Sequence, residues 1–219
     1  MSLWKIAWRS IQQRALASGL TAISMALGVA LVVAVLVVHS VVYQSFHRGG
    51  EGYDLIVGAN KGSGLDLVLS SVYYVSRPVE NIPYSFYKKL REGDLSSHVL
   101  VAVPICLGDV CDGFPVVGTT PEMFDELTYL DDQPYRFAEG GRNFDRKNFF
   151  EAVIGSTVAK RLGLKVGDSF RPSHDTVGKK KHEHDPFTIV GILEPTGTPN
   201  DRALFINIEG FYRVGQHAG

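Results

Sequence analysis

From Leu20 to Tyr43 the sequence LTAISMALGVALVVAVLVVHSVVY carries no Asp, Glu, Lys or Arg, and apolar residues fall on every side of a helix drawn through it. Such a helix spans roughly 36 Å at about 1.5 Å per residue, enough to cross a hydrocarbon core of about 30 Å with some tilt. A buried helix of a soluble protein rarely runs this long without a polar face. A cleaved signal peptide has an apolar region of about 7–15 residues ending in small residues, whereas this run is longer and ends in Val38, His39, Ser40, Val41 and Val42. The pattern predicts an uncleaved membrane anchor. Ahead of it, in MSLWKIAWRSIQQR, the residues Leu3, Trp4, Ile6, Ala7, Trp8 and Ile11 recur at helical spacing, with Lys5, Arg9, Gln12 and Gln13 between them. An amphipathic helix lying in the membrane interface is the preferred reading; the start of the spanning helix is the other.

After the anchor the pattern changes to short alternating elements. Tyr53–Gly58 and His98–Ile105 are β-rich runs, and Leu65–Val75 is dense enough in apolar residues for helix or strand. Asn81 is positioned to cap a helix with Pro83 in its first turn and SFYKKL as its body. Gly113–Gly118 reads as a strand, followed by a short helix capped by Thr119 or Thr120 with Pro121 at its first position. A strand at Ala152–Gly155 leads into a helix over Thr157–Leu162, with Ser156 as cap and Gly163 as left-handed stop. Leu164–Phe170, Phe187–Leu193 and Arg202–Ile208 complete the strands. The fold class expected is α+β: one N-terminal transmembrane helix, then a mixed α/β domain with a division into two lobes left open.

Charge adds a direction. Lys5, Arg9 and Arg14 precede the apolar run, and all 23 Asp and Glu lie from Glu51 onward. Basic residues before a span favour a cytoplasmic N-terminus. The net charge of −1 offers no argument for nucleic acid.

Three stretches carry candidate chemistry. Cys106 and Cys111 flank LGDV, where Gly108 and Asp109 are turn formers; a disulfide across a hairpin is the favoured reading outside the cytoplasm, with two thiols as the other. His174, His182 and His184 lie in RPSHDTVGKKKHEHDPF, where alternation places His182 and His184 on one side of a strand. A zinc ion held with Asp175, Glu183 or Asp185 is conceivable, but Lys179, Lys180 and Lys181 repel a divalent cation and favour a solvated loop tip. KGSGLD, Lys61–Asp66, lacks the order of a phosphate-binding loop and reads as a turn. No G-x-S-x-G elbow or H-E-x-x-H is present, so nothing argues for catalytic residues.

The order of these features resembles the permease subunits of MacB/FtsX-type ABC transporters, including the lipoprotein-release and DevC-like permeases. The resemblance is carried by SMALGVAL in the first helix and by YDLIVGANKGSGLDLVLSSVYYV, NIPYSFYKKL, VVGTTPEMF, EAVIGSTVAKRLGLKVGD and FTIVGILEPTGTPNDRALFINIEGFY. It implies a cytoplasmic or interfacial segment over 1–16, a transmembrane helix over 17–43 and a periplasmic α+β domain over 44–219, in a bacterial inner membrane. It also implies a separate cytoplasmic ABC subunit that binds ATP, a permease dimer partner, contact with membrane lipid and a periplasmic adaptor. Such permeases have three further helices, so the sequence is expected to be the first half of one, truncated or split. Apart from that partner-bound ATP and the zinc named above, no cofactor is expected. The rival expectation is a membrane-anchored periplasmic binding or adaptor domain, metal-sensing through the His-rich loop.

Overall fold

The computed structural model describes residues 3–50, 52–130, 132–173 and 185–213. It divides into two compact units, Met1–His47 and Arg48–Gly219.

The first unit is helical. Helix α1 (Leu3–Gln13) is separated at Arg14 from α2 (Ala15–Gly50). Trp4 and Trp8 of α1 are exposed. Ala15–Tyr43 is apolar enough to cross a membrane, and none of its most hydrophobic window is buried. A core helix of a soluble protein would be covered; here the large apolar side chains from Leu16 to Val42 stand exposed.

The second unit is built on a six-stranded sheet of order β1-β2-β8-β5-β7-β6. Its strands are β1 (Cys106–Cys111), β2 (Phe114–Thr119), β5 (Glu151–Ile154), β6 (Ser169–Phe170), β7 (Phe187–Ile192) and β8 (Leu204–Asn207). A separate two-residue ladder joins β3 (Thr128–Tyr129) to β4 (Gln133–Pro134). Helices α3 (Gly64–Ser71), α4 (Tyr84–Glu92), α5 (Glu122–Asp125), α6 (Ser156–Leu162) and α7 (Ile208–Arg213) fill the connections. Strand β8 runs parallel to β2 and antiparallel to β5, and all four of its residues are buried.

The period-2 alternation of a strand sends neighbours to opposite faces, and both faces are covered. Val116, Ala152, Ile154, Phe187, Ile189, Leu204 and Ile206 share one core with Val158 of α6 and Phe211 of α7. Val117, Val153 and Phe205 share the other with Met123 and Phe124 of α5, Phe144, Tyr74 and Tyr135. A bulge keeps β7 in step: pairing passes from Ala152↔Ile189 to Val153↔Gly191, so Val190 is an extra residue and Ile192 returns to the first face. A strand covered on both sides needs an unbroken apolar run, which is why GFPVVG, EAVIG, FTIVGIL and ALFIN are legible in the sequence.

Several expectations change. The segment 53–58 forms no strand, and 99–105 is irregular after a 3-10 turn at Ser96–His98. Helix α4 starts after Pro83 with no side-chain cap, so Asn81 does not cap it; α5 likewise starts after Pro121, which holds the cap position in place of a threonine. Gly155, not Ser156, holds the cap position of α6, while Gly163 ends it at φ +69° as expected. Leu164–Phe170 contributes only Ser169–Phe170 to the sheet.

The cysteines need the largest correction. The hairpin turns at Asp112-Gly113, both with positive φ, where the D-G pair suits a tight hairpin turn. Gly108 and Asp109 lie inside β1 at a register shift. Cys106 and Cys111 therefore stand at opposite ends of one strand, roughly 16 Å apart at about 3.3 Å per residue. A disulfide needs Cα atoms within about 7 Å, and the two side chains are thiols rather than a bridged pair.

Two measurements check this account. Phe205 is fully buried and meets Phe124 edge-on at 5.0 Å; Phe205→Ala should lower unfolding free energy by about 3–5 kcal/mol in denaturant titration. Thiol counting under denaturing, non-reducing conditions should find both cysteines reactive, whereas a bridge would leave neither.

Candidate functional site

A buried polar assembly, with partners in the second core, is built around Asn200. The turn Thr196-Gly197-Thr198 after β7 leads into a 3-10 turn at Pro199–Arg202. The Asp201 carboxylate closes it, accepting from the Thr196 N–H at 2.9 Å, the Gly197 N–H at 2.8 Å and the Thr196 hydroxyl at 3.0 Å. Gly197 has φ +69°, which a glycine adopts without strain. This lock turns Asn200, 3% exposed, into the protein.

Two tyrosines meet it there. The Tyr74 hydroxyl donates to Asn200 Oδ1 at 3.0 Å, and Asn200 Nδ2 donates to the Tyr135 hydroxyl at 2.7 Å. Tyr53 packs against the same core cluster. Tyr74, three residues past the end of α3, has φ +55°; a left-handed conformation costs a bulky residue about 1–2 kcal/mol, so the packing around Tyr74 holds it there. Gly52, just before Tyr53, has φ +93°, and a side chain there would collide with the Thr128 carbonyl of β3. Beneath the knot lies an aromatic layer: Phe124 meets Tyr135 edge-on at 5.2 Å, and Tyr74 meets Phe205 at 6.1 Å.

The chemistry available is neutral. Burial pushes the Tyr53, Tyr74 and Tyr135 phenols upward, so they remain protonated hydrogen-bonding groups at physiological pH. The knot holds segments of distant sequence together and carries no activated nucleophile.

A charged cluster ties down a second region. Glu122 Oε1 of α5 pairs with Arg91 of α4 at 3.0 Å and with Arg146. Asn143 Nδ2 donates to the Pro121 carbonyl at 2.8 Å and to Asp125 at 2.9 Å. Burial works to raise the Glu122 pKa, but backbone hydrogen bonding and Arg146 outweigh it and hold the pKa below its ordinary value. The shallow groove of about 150 Å³ beside KGSGLD, lined in part by Lys61, Asp66 and Glu80, is internally satisfied. Ser63 and Asp66 form a capping box on α3, and Lys61 pairs with Glu80 at 2.7 Å.

The residues predicted from sequence are not brought together. Cys106 and Cys111 lie along β1, with burial pushing the Cys106 thiol up to about 11. His174, His182 and His184 fall outside the described residues. Among the described residues no group of three His, Cys, Asp or Glu is placed to hold a metal ion. Sequence reasoning missed the knot. Its only local signal is the P-N-D turn before a buried strand, and the partners of Asn200 lie 126 and 65 residues away.

Two predictions follow from these environments. A depressed carboxyl pKa contributes stability above the ordinary value of 4.5 that is lost as pH falls through the lowered one. Glu122→Gln should therefore lower the melting temperature at pH 7, with the gap to wild type closing below pH 4.5. The raised Cys106 pKa stabilises the fold below its ordinary 9.0, and that contribution fades between 9.0 and about 11. In the native protein at pH 7.5 Cys106 should react with a maleimide far more slowly than in the denatured chain.

Comparison with known proteins adds a family. The model of the MacB-like periplasmic core domain matches residues 18–218. A solved structure, a domain of a candidate permease protein from Porphyromonas gingivalis, is similar at 14% identity and a TM-score of 0.32. That match covers 49% of this chain and 48% of the other, so about half of each is aligned. No curated protein matches.

Proposed function

Because the chain belongs to the MacB-like periplasmic core domain family, we propose that it acts as a permease subunit of an ABC transporter, anchored by α2 in the bacterial inner membrane. The observation that carries this reading is the family match itself. It begins inside the membrane helix at residue 18 and runs through the whole sheet unit to residue 218. The exposed apolar helix supports it. Lys5, Arg9 and Arg14 ahead of the span favour an N-terminus on the cytoplasmic side, which puts the sheet unit in the periplasm.

In this reading a separate cytoplasmic subunit binds and hydrolyses ATP. The hydrolysis cycle moves the helices of a permease dimer, and the periplasmic units change their relation to a cargo or adaptor. The role of this chain is mechanical: α1 offers an amphipathic surface near the ATP-binding partner, α2 carries the displacement, and the sheet unit delivers it. Export or release of a substrate is the outcome, and the neutral character of the Asn200 knot suits a load-bearing part better than a reaction centre.

Single-cysteine labelling tests the topology. With both native cysteines changed to alanine, Lys165→Cys should label with an impermeant maleimide in intact spheroplasts, and Gln12→Cys only after lysis. The reverse pattern would overturn the orientation. Co-purification with an ABC ATP-binding subunit from the same cells, together with a change in that subunit's ATPase rate, should follow; its absence would count against the permease assignment.

A further inference from the structure

We propose that the six-stranded sheet is a ring held shut by the bridge between Val110 and Ser173, and that the sheet unit changes shape by parting at this seam while its central strands stay paired. The inference goes beyond the permease reading and does not depend on it.

The strand order puts β1 and β6 at the two ends of the sheet, yet the chain brings these ends together. The Val110 N–H donates to the Ser173 carbonyl at 3.0 Å, and the Ser173 N–H donates to the Val110 carbonyl at 2.9 Å. The buried Ser173 hydroxyl donates to the same Val110 carbonyl at 3.4 Å. Val110 belongs to β1, and Ser173 lies three residues past Phe170, the last residue of β6. This antiparallel bridge therefore closes the sheet on itself. Among the described residues the closure is one residue pair, whereas β1 and β2 share five.

The sequence keeps the clasp short. Pro172 has no N–H to add to a ladder, so pairing does not run back from Ser173 into β6. On β1 the Asp112-Gly113 turn follows Cys111 at once. In the other direction a register shift between Leu107 and Asp109 interrupts the strand, and such a bulge disrupts a regular ladder. Residues on both sides of the clasp feed the first core: Cys111 and Phe114 from the hairpin, Phe170 from β6, the last stacked on Phe187 at 6.1 Å. Parting the seam breaks two backbone hydrogen bonds and uncovers these side chains. Parting β8 from β2 or β5 breaks a ladder of four or three pairs buried on both faces. Local opening follows the least-bonded contacts, so the ring opens at Val110 and Ser173.

Amide hydrogen exchange and thiol labelling on the full chain in lipid nanodiscs test the seam, with Cys106→Ala leaving Cys111 as the reporter thiol. In this parent the Val110 and Ser173 amides should exchange at least tenfold faster than those of Phe205 and Ile206, with little dependence on added urea. Cys111 should react with a maleimide faster than global unfolding allows. Ser173→Pro removes the donor N–H and should speed Cys111 labelling about tenfold or more, while amides within β2 and β8 keep parental rates. Ser173→Ala keeps both backbone bonds and should stay within about twofold of the parent. The proposal is overturned if Val110 and Ser173 exchange only in step with β8, if Cys111 labels only as fast as the whole chain unfolds, or if Ser173→Pro accelerates β2 together with the thiol. Where Ser173→Pro does not fold, the exchange rates of the parent still decide. Neither ATP nor cargo is used, so failure here is distinguishable from failure of the permease reading.

Discussion

The sheet unit depends on β8. Leu204, Phe205, Ile206 and Asn207 bond to β2 on one side and to β5 on the other. Among the described residues it is the strand that joins the β1–β2 hairpin to the β5–β7–β6 half, with a single Val110–Ser173 bridge linking β1 to the chain just after β6. The strand is covered on both faces, with Leu204 and Ile206 in one core and Phe205 in the other. A four-residue strand cannot supply this by backbone hydrogen bonds alone. Its worth lies in the apolar area it brings out of water on both faces at once.

What surrounds β8 follows from the need to place it. The lead-in is locked by Asp201, and the turn carries Asn200 into the tyrosines. On the far side Asn207 leaves the strand and donates to the Asp145 and Arg146 carbonyls at 3.2 and 2.9 Å. The loop that carries Arg146 is thereby tied to the end of β8, and Glu122 ties the same loop to α4 and α5. Buried polar groups at both ends of the strand are paired with segments far away in sequence, which fixes the register of a strand whose apolar residues alone would tolerate a slip.

The sequence disclosed the parts whose physics is local. An uncharged apolar run announces α2, continuous β-branched runs announce the central strands, and Gly163 announces the end of α6. It misled where a local signal had competition. Gly108 and Asp109 look like turn formers, yet a register shift absorbs them inside β1 while Asp112-Gly113 makes the turn. Tyr53–Gly58 has the composition of a strand but forms none. The Asn200 knot was illegible because its residues are ordinary tyrosines and one asparagine, joined only by the tertiary fold. The family resemblance is confirmed over residues 18–218, and the hairpin disulfide inferred from cysteine spacing is replaced by two thiols on one strand.

The central position of a late strand also governs how the protein is made. Synthesis delivers α2 first, β2 and β5 next, and β8 only after nearly all of the sheet unit has been polymerised. Until then β2 and β5 each present a bare edge, the kind of surface that recruits stray strands from other chains. At about 5–20 residues per second, the stretch from Thr119 to Leu204 takes on the order of seconds to a quarter of a minute. For that interval the sheet of the nascent chain is still in two halves. Protection of those open edges is thus a demand of synthesis that the finished fold no longer displays.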